Sequence, residues 1–229
     1  MIIGGLQRFS LIDYPDKICA IVFTQGCNFR CPYCHNPELI EFRISRPSSP
    51  REDEILSFLD RRKGKLDAVT ITGGEPLLQS GLEDFLSKLK ALGYLIKLDT
   101  NGSFPSRLAR IIDAGTVDYI AMDIKMSLEK YETVVGQRIE TAKISESINV
   151  IMDSVLDYEF RTTAVKPFFE EDDFAKIGRL IEGSRLHILQ RFVSAKSLDE
   201  SPNMCSYSDG EMDRFRVLME GFVQRCIVR

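Results

Sequence analysis

The sequence contains six short runs of apolar and β-branched residues, each followed by a helical segment, and this alternation constrains the fold most. The runs cover residues 19–23, 68–72, 95–100, 119–124, 158–164 and 186–192. Strands that alternate with helices predict an α/β fold, with a parallel sheet and helices on its outer side. Six units are fewer than the eight of a closed barrel, so we predict a partial (β/α)6 barrel. A doubly wound open sheet is the alternative.

Capping residues mark the ends of several predicted helices. Ser49, followed by a proline and then a glutamate, predicts the start of the first helix. Gly93 and Gly115 follow amphipathic segments and predict helix C-termini. Ser208, with a glutamate three positions later, predicts the start of a last helix that ends near Cys226.

The chain as a whole is predicted to be one domain over residues 1–229, because no linker or low-complexity tract interrupts the alternation. A formal net charge of −4 offers no basic surface to a phosphate backbone, so we expect no nucleic-acid partner. Neither a signal-peptide pattern nor a run of about 18 apolar residues is present. We therefore expect no membrane association and a cytoplasmic location.

Three cysteines, Cys27, Cys31 and Cys34, lie within eight residues. Clustered thiolates are typical ligands of zinc or of iron–sulfur clusters. A zinc site needs a fourth ligand, and His35 is badly placed for it because it adjoins Cys34. A [4Fe–4S] cluster on three cysteines instead leaves one iron open to a substrate or cofactor. The other cysteines are scattered and are expected to be structural residues that pack as small apolar side chains, namely Cys19, Cys205 and Cys226.

The spacing C-x3-C-x2-C, with Tyr33 before the last cysteine, resembles the signature of the radical S-adenosylmethionine (SAM) enzymes. The resemblance implies that SAM binds the open iron through its amino and carboxylate groups. It also implies that an electron from the cluster cleaves SAM to methionine and a 5′-deoxyadenosyl radical. The chemistry is therefore expected at the cluster, with no side chain as acid or base. Tyr33 and His35 are implied to lie beside the adenine.

A glycine-rich segment, Gly73-Gly74-Glu75, follows the second predicted strand and resembles the GGE motif of the same family. The resemblance implies that its backbone and the glutamate help to hold the methionyl amino group. Adjacent glycines let a main chain approach a ligand closely. The alternative is an ordinary turn, because glycine and proline favour turns wherever they occur.

Two further motifs follow the third and fourth predicted strands and resemble those of glycyl radical enzyme activases. The first is Asp99-Thr100-Asn101-Gly102, and the second is Asp123-Ile124-Lys125. Asp123 and Lys125 are two residues apart on a strand and are therefore expected to point into the SAM site together, with Lys125 bound to the SAM carboxylate. The resemblance implies that a monovalent cation lies among Asp99, Thr100 and Asp123, beside SAM. The alternative is a strand-ending turn and a surface ion pair.

Arg161 lies within an otherwise apolar predicted strand. An inward-facing arginine is rarely left unpaired. It is predicted either to contact the SAM carboxylate or ribose, or to form a salt bridge between neighbouring strands.

The N-terminal stretch 5–15, with 23–27, resembles the longer form of the anaerobic ribonucleoside-triphosphate reductase activating proteins. In length the chain is also similar to pyruvate formate-lyase activase, whereas the short reductase activases lack several of its units. The resemblance implies a glycyl radical enzyme as partner, with anaerobic ribonucleotide reductase as the first candidate. It also implies a flavodoxin- or ferredoxin-type reductant.

Two other functions remain open from the sequence. One is a radical SAM enzyme that acts on a small molecule, similar to 7-carboxy-7-deazaguanine synthase. The other is an iron–sulfur electron carrier or a zinc-binding module. Electron carriers usually ligate every iron with cysteine, which disfavours the second.

Overall fold

A computed structural model of the chain describes residues 1–42, 49–193, 198 and 203–229. Its strands form one sheet of eight, in which spatial order follows sequence order. The strands are β1 Ile3–Ser10, β2 Cys19–Thr24, β3 Ala68–Gly73, β4 Leu95–Thr100, β5 Tyr119–Asp123, β6 Asp157–Ala164, β7 His187–Arg191 and β8 Cys226–Val228. β1 is antiparallel to β2, and all later neighbours are parallel.

Every parallel connection in the sheet carries at least one helix. The helices are α1 Glu52–Asp60, α2 Leu82–Ala91, α3 Pro105–Asp113, α4 Tyr131–Val135, α5 Thr141–Met152, α6 Glu171–Leu180 and α7 Asp209–Met219. Strands β2 to β7 match the six predicted runs, so the predicted partial barrel is confirmed. The doubly wound alternative is wrong, because it needs a reversal of strand order that this sheet lacks. In the described part of the chain, β1 and β8 are the unpaired edges.

The two faces of the sheet have different surroundings because successive side chains on a strand point to opposite faces. Val22, Ile71 and Leu98 belong to the large core formed with the helices. On the inner face, a smaller cluster lies at the N-terminal end of the barrel, where Tyr14 packs against Tyr119 with ring centroids 5.7 Å apart. The segment after β1 therefore closes the floor of the barrel, and the carboxyl ends of the strands remain open to a site.

The helix ends in the structure agree with those predicted from the sequence in three places and differ from them in two. Gly93 and Gly115 follow α2 and α3 with φ of 88° and 62°, and Ser208 caps α7. The predicted cap at Ser49 is wrong, because Arg51 is the N-cap of α1 and its N–H donates to a first-turn glutamate. The last helix ends at Met219 and not near Cys226, which lies in β8.

Within the described ranges, every helix falls short of the length and apolar character of a membrane span.

Of the scattered cysteines, Cys19 and Cys226 are buried, as expected for structural residues. Cys205 is exposed, so its predicted packing role is wrong.

The capping box of α7 gives a test of these assignments. We expect Ser208→Ala to lower the free energy of unfolding by about 1 kcal/mol, because its hydroxyl accepts the N–H of Glu211. Ser49→Ala is the matched control and should change it by less than about 0.5 kcal/mol, since Ser49 caps no described helix. Urea denaturation followed by circular dichroism measures both. Equal losses of unfolding free energy in the two variants would contradict the assignment of Ser208 as the helix cap.

Candidate functional site

A cavity of about 310 Å³ lies at the carboxyl ends of the strands. Every residue that the sequence suggested for the cluster, for SAM or for a cation lines it: the three clustered cysteines, Tyr33, His35, the Gly73–Glu75 segment, Asp99, Thr100, Asp123, Lys125 and Arg161. These residues come from five different strand ends and meet because parallel strands end on the same side of a barrel. Asn101, which the sequence gave only as part of a motif and without a role, also lines the cavity, as do Thr163 and Gln190, which the sequence did not single out.

The loop after β2 carries the cysteines and is fastened by its own backbone. The N–H of Gly26 donates to Leu39 at 2.7 Å, and that of Cys27 donates to Ile40 at 2.9 Å. The guanidinium of Arg30 donates to the carbonyl of Cys27 at 2.7 Å. The loop therefore holds its shape through contacts within the protein, before any metal is considered.

Burial sets the protonation of the three thiols. It raises the pKa of Cys27 to about 12 and that of Cys31 to about 11, and it raises the pKa of Cys34 as well. The N–H of Phe29 donates to the Cys27 sulfur at 3.4 Å and partly offsets this effect. Because metal ligands must be thiolates, binding of metal here has to displace protons.

The donor set fits an iron–sulfur cluster. Three thiols line one cavity, and each cysteine of a cluster binds a different iron. Among the described residues, no three His, Cys, Asp or Glu side chains lie close enough to hold one metal ion. His35, the candidate fourth zinc ligand, stacks on Phe192 with ring centroids 6.1 Å apart, and burial lowers its pKa.

The glycines after β3 are required by packing within the protein. A Cβ on Gly74 would overlap the carbonyl of Gly26, and Gly73 has a φ of 112° against the backbone of Thr24. The N–H groups of Gly74 and Glu75 donate to Thr24 and Gly26 at 2.9 and 2.8 Å. The two glycines thus let the end of β3 lie directly on the cysteine loop.

Glu75 is 1% exposed, and its carboxylate also holds neighbouring strand ends together. It accepts from the Thr100 hydroxyl at 2.7 Å, from the Asn101 N–H at 2.7 Å and from the Leu77 N–H at 3.1 Å. Burial raises the pKa of Glu75 to about 7 in spite of these bonds. The glutamate therefore joins the GGE segment to the motif at the end of β4.

Five charged side chains alternate in sign across β4, β5 and β6, and we call them the charge ladder: Lys97, Asp99, Arg161, Asp123 and Lys125. Lys97 Nζ lies 2.5 Å from one oxygen of Asp99, and Arg161 Nη1 lies 3.1 Å from the other. Arg161 Nε lies 2.8 Å from one oxygen of Asp123, and Lys125 Nζ lies 2.9 Å from the other. Arg161 thus forms the salt bridge between strands that was one of its two predicted roles.

The two aspartates of the ladder and Lys125 stay charged at neutral pH. Burial would raise the pKa of Asp99 and of Asp123, but neighbouring Arg161 and the lysines outweigh it and lower both. Burial would lower the pKa of Lys125, but Asp123 raises it. The predicted surface pair of Asp123 and Lys125 is thus a largely buried pair inside the barrel.

The arrangement does not fit the predicted monovalent cation. Both oxygens of Asp99 and both oxygens of Asp123 already face basic side chains. The third predicted ligand, Thr100, donates its hydroxyl hydrogen to Glu75.

Tyr33 is buried, and its hydroxyl donates to the carbonyl of Lys125 at 3.2 Å. Its ring packs against Phe168 with centroids 6.0 Å apart. The cysteine loop is thereby joined to the residue that ends the charge ladder.

Comparison with known proteins places this cavity in a family. The model of the Radical SAM superfamily matches residues 21–181. The chain belongs to the radical SAM superfamily. It is therefore an enzyme of that superfamily, and the predicted resemblance is confirmed. The superfamily implies a [4Fe–4S] cluster and SAM as cofactors.

The relatives of this radical SAM enzyme extend the match over the whole chain. It is 29% identical over 234 residues to a protein of Methanocaldococcus jannaschii provisionally named a glycyl-radical enzyme activating enzyme, covering 100% of this chain and 95% of that one. A second protein of this organism, with the same provisional name, is 30% identical over 189 residues, covering 79% of this chain and 68% of that one.

Among solved structures, Streptococcus suis SuiB bound to the precursor peptide SuiA superposes with a TM-score of 0.71. The sequence identity is 10%, and the match covers 91% of this chain and 48% of SuiB. The radical SAM enzyme thus spans about half the length of that structure, and the likeness shows the fold alone.

The contact between Gly74 and Gly26 gives a test of the site. We expect Gly74→Ala to lower the free energy of unfolding by about 1–3 kcal/mol, because the added methyl group must displace the Gly26 carbonyl. Gly210→Ala is the control, since its Cβ would meet nothing within 4 Å. Urea denaturation of the metal-free proteins measures both. A Gly74→Ala protein as stable as the control would contradict the packing.

Proposed function

We propose that this enzyme is a glycyl radical enzyme activase that cleaves SAM reductively at a [4Fe–4S] cluster on Cys27, Cys31 and Cys34. The observation that carries the proposal is the cavity in which these thiols and Lys125 meet. The three cysteines would hold the cluster, which when bound would supply the electron for reductive cleavage of SAM, so that a hydrogen atom could be removed from a glycine Cα of the partner.

The charge ladder presents a basic group to the site. Its basic groups outnumber its carboxylates three to two, and a further buried carboxylate, Glu159, lies 3.9 Å from Arg161 and offsets part of that charge. Lys125 has a 19% exposed side chain and lines the cavity, so it is the member that we propose binds the SAM carboxylate. Charge-assisted hydrogen bonds of this kind are stronger than neutral ones.

The other residues are proposed to orient SAM by their positions in the cavity. Tyr33 and His35 flank Cys34, and this stretch is proposed to contact the adenine largely through its backbone, as the resemblance implies. Glu75 is proposed to act near the methionyl amino group, where its carboxylate joins its segment to the end of β4 and its backbone N–H holds that segment against the cysteine loop. For Arg161 we propose a role in fixing the two aspartates of the ladder.

As partner we propose anaerobic ribonucleotide reductase. The support is the N-terminal stretch 5–15, which resembles the longer reductase activating proteins. The unpaired edges β1 and β8 leave a side of the described barrel through which a glycine-bearing loop can enter.

We further propose one domain over residues 1–229, a cytoplasmic location and a flavodoxin- or ferredoxin-type reductant.

Cysteine variants test the cluster. We expect replacement of Cys27, Cys31 or Cys34 by Ala to abolish SAM cleavage after anaerobic reconstitution, because an iron loses its protein ligand. Cys19→Ala is the matched control, since this cysteine is buried in β2 away from the cavity, and it should retain cleavage. Iron analysis and 5′-deoxyadenosine release measure the effect. A full complement of iron in the triple Ala variant would refute the ligand assignment.

The partner has a separate test. The reduced enzyme is incubated with SAM and an anaerobic ribonucleotide reductase from the same source, and EPR is recorded. We expect a glycine-centred doublet that disappears when the C-terminal radical glycine of the reductase is replaced by alanine. SAM cleavage without a radical on any glycyl radical enzyme would contradict the proposal and favour a small-molecule substrate.

A further inference from the structure

Lys97 is a buried cation that the proposed chemistry does not use. Its side chain is 3% exposed, and its ammonium lies 2.5 Å from Asp99. Lys97 and Asp99 are two residues apart on β4 and so share the inner face of the barrel. A buried charge is costly unless it is paired, so this lysine is held in place by its partner.

The surroundings of Lys97 keep its ammonium beside Asp99. Below it, the ring of Tyr119 lies with its centroid 6.0 Å from Nζ. Tyr14 packs against the same ring and closes the barrel floor. Lys125 differs, because its side chain is 19% exposed and lines the cavity. Lys97 is thus a positioning residue, whereas Lys125 faces the cavity.

The site that was predicted for a monovalent cation is therefore filled by the protein. An ammonium group and a potassium ion carry the same charge and are similar in size, and carboxylate oxygens accept either. A further cation at Asp99 would also lie near Lys97 and Arg161, which repel it.

We propose that the ammonium of Lys97 acts as a built-in monovalent cation, so that the SAM site of this enzyme forms without bound potassium or sodium. The link to SAM rests on the proposed function, whereas the effect on the metal-free protein does not. Through Asp99, the charge of Lys97 orients Arg161, and Arg161 in turn orients Asp123. Removal of the ammonium should leave one oxygen of Asp99 without a basic partner, and potassium should bind at that oxygen.

The test compares potassium chloride with choline chloride at equal ionic strength, because choline is too large for the position. The melting temperature of the metal-free full-length chain is measured first. We expect the wild type to melt at the same temperature in both salts. Lys97→Met should melt lower in choline chloride and recover, with saturation, as potassium replaces choline. Lys143→Met, which removes an exposed lysine, is the control and should respond equally to both salts.

SAM affinity of the reconstituted enzyme is the second readout. We expect the Kd of Lys97→Met to rise by about tenfold in choline chloride and to return towards the wild-type value in potassium chloride. A merely structural role would not give this dependence on the choice of cation. If SAM does not bind at all, the proposed function fails, while the melting data still decide the role of Lys97.

Two results would overturn the inference. One is saturable stabilisation of the wild type by potassium over choline, which would show a true metal site. The other is a folded Lys97→Met protein that does not distinguish the salts. If Lys97→Met does not fold, Lys97→Gln takes its place, and the wild-type comparison remains decisive by itself.

Discussion

The buried carboxylate of Glu75 is the contact on which the site depends. It accepts hydrogen bonds from the Thr100 hydroxyl and the Asn101 N–H at the end of β4, while the backbone N–H of Glu75 donates to the carbonyl of Gly26, just before the first clustered cysteine. One residue thus joins three successive strand ends. The close approach at Gly74 makes this possible, because any side chain there would separate β3 from the cysteine loop. The cysteines owe their position to this backbone contact.

The charge ladder joins the next three strands in a different way. Its alternating pairs tie β4, β5 and β6 through side chains only, and each aspartate has a basic group on both oxygens. Such a chain of buried charges is stable only when all its members are present, since the loss of one leaves a neighbour unpaired. The inner face is therefore specified by charge at the site and by a small apolar cluster at the floor, whereas the outer face is specified by apolar packing against helices.

The sequence predicted the six central strands and every motif at their ends, because alternation and spacing are local signals. It did not predict β1, in which two glycines and three exposed residues hide the strand pattern, or β8, which has three residues. It also gave no weight to Lys97, since a lysine within an apolar run resembles a surface residue until the inner face is known. The choice between the two roles of Arg161 needed the positions of Asp99 and Asp123, which lie on other strands.

The closed floor of the barrel has a kinetic consequence. Tyr14 and Tyr119 block the N-terminal end, so a small cofactor must arrive at the open carboxyl ends of the strands or through the side between β1 and β8. A loop of a larger protein that enters by that side reaches the same cavity. A partner seated there would hinder the exchange of spent cofactor for fresh. On the proposed function, binding should then be ordered, with the cofactor first and the partner second, and each turnover should require the partner to leave.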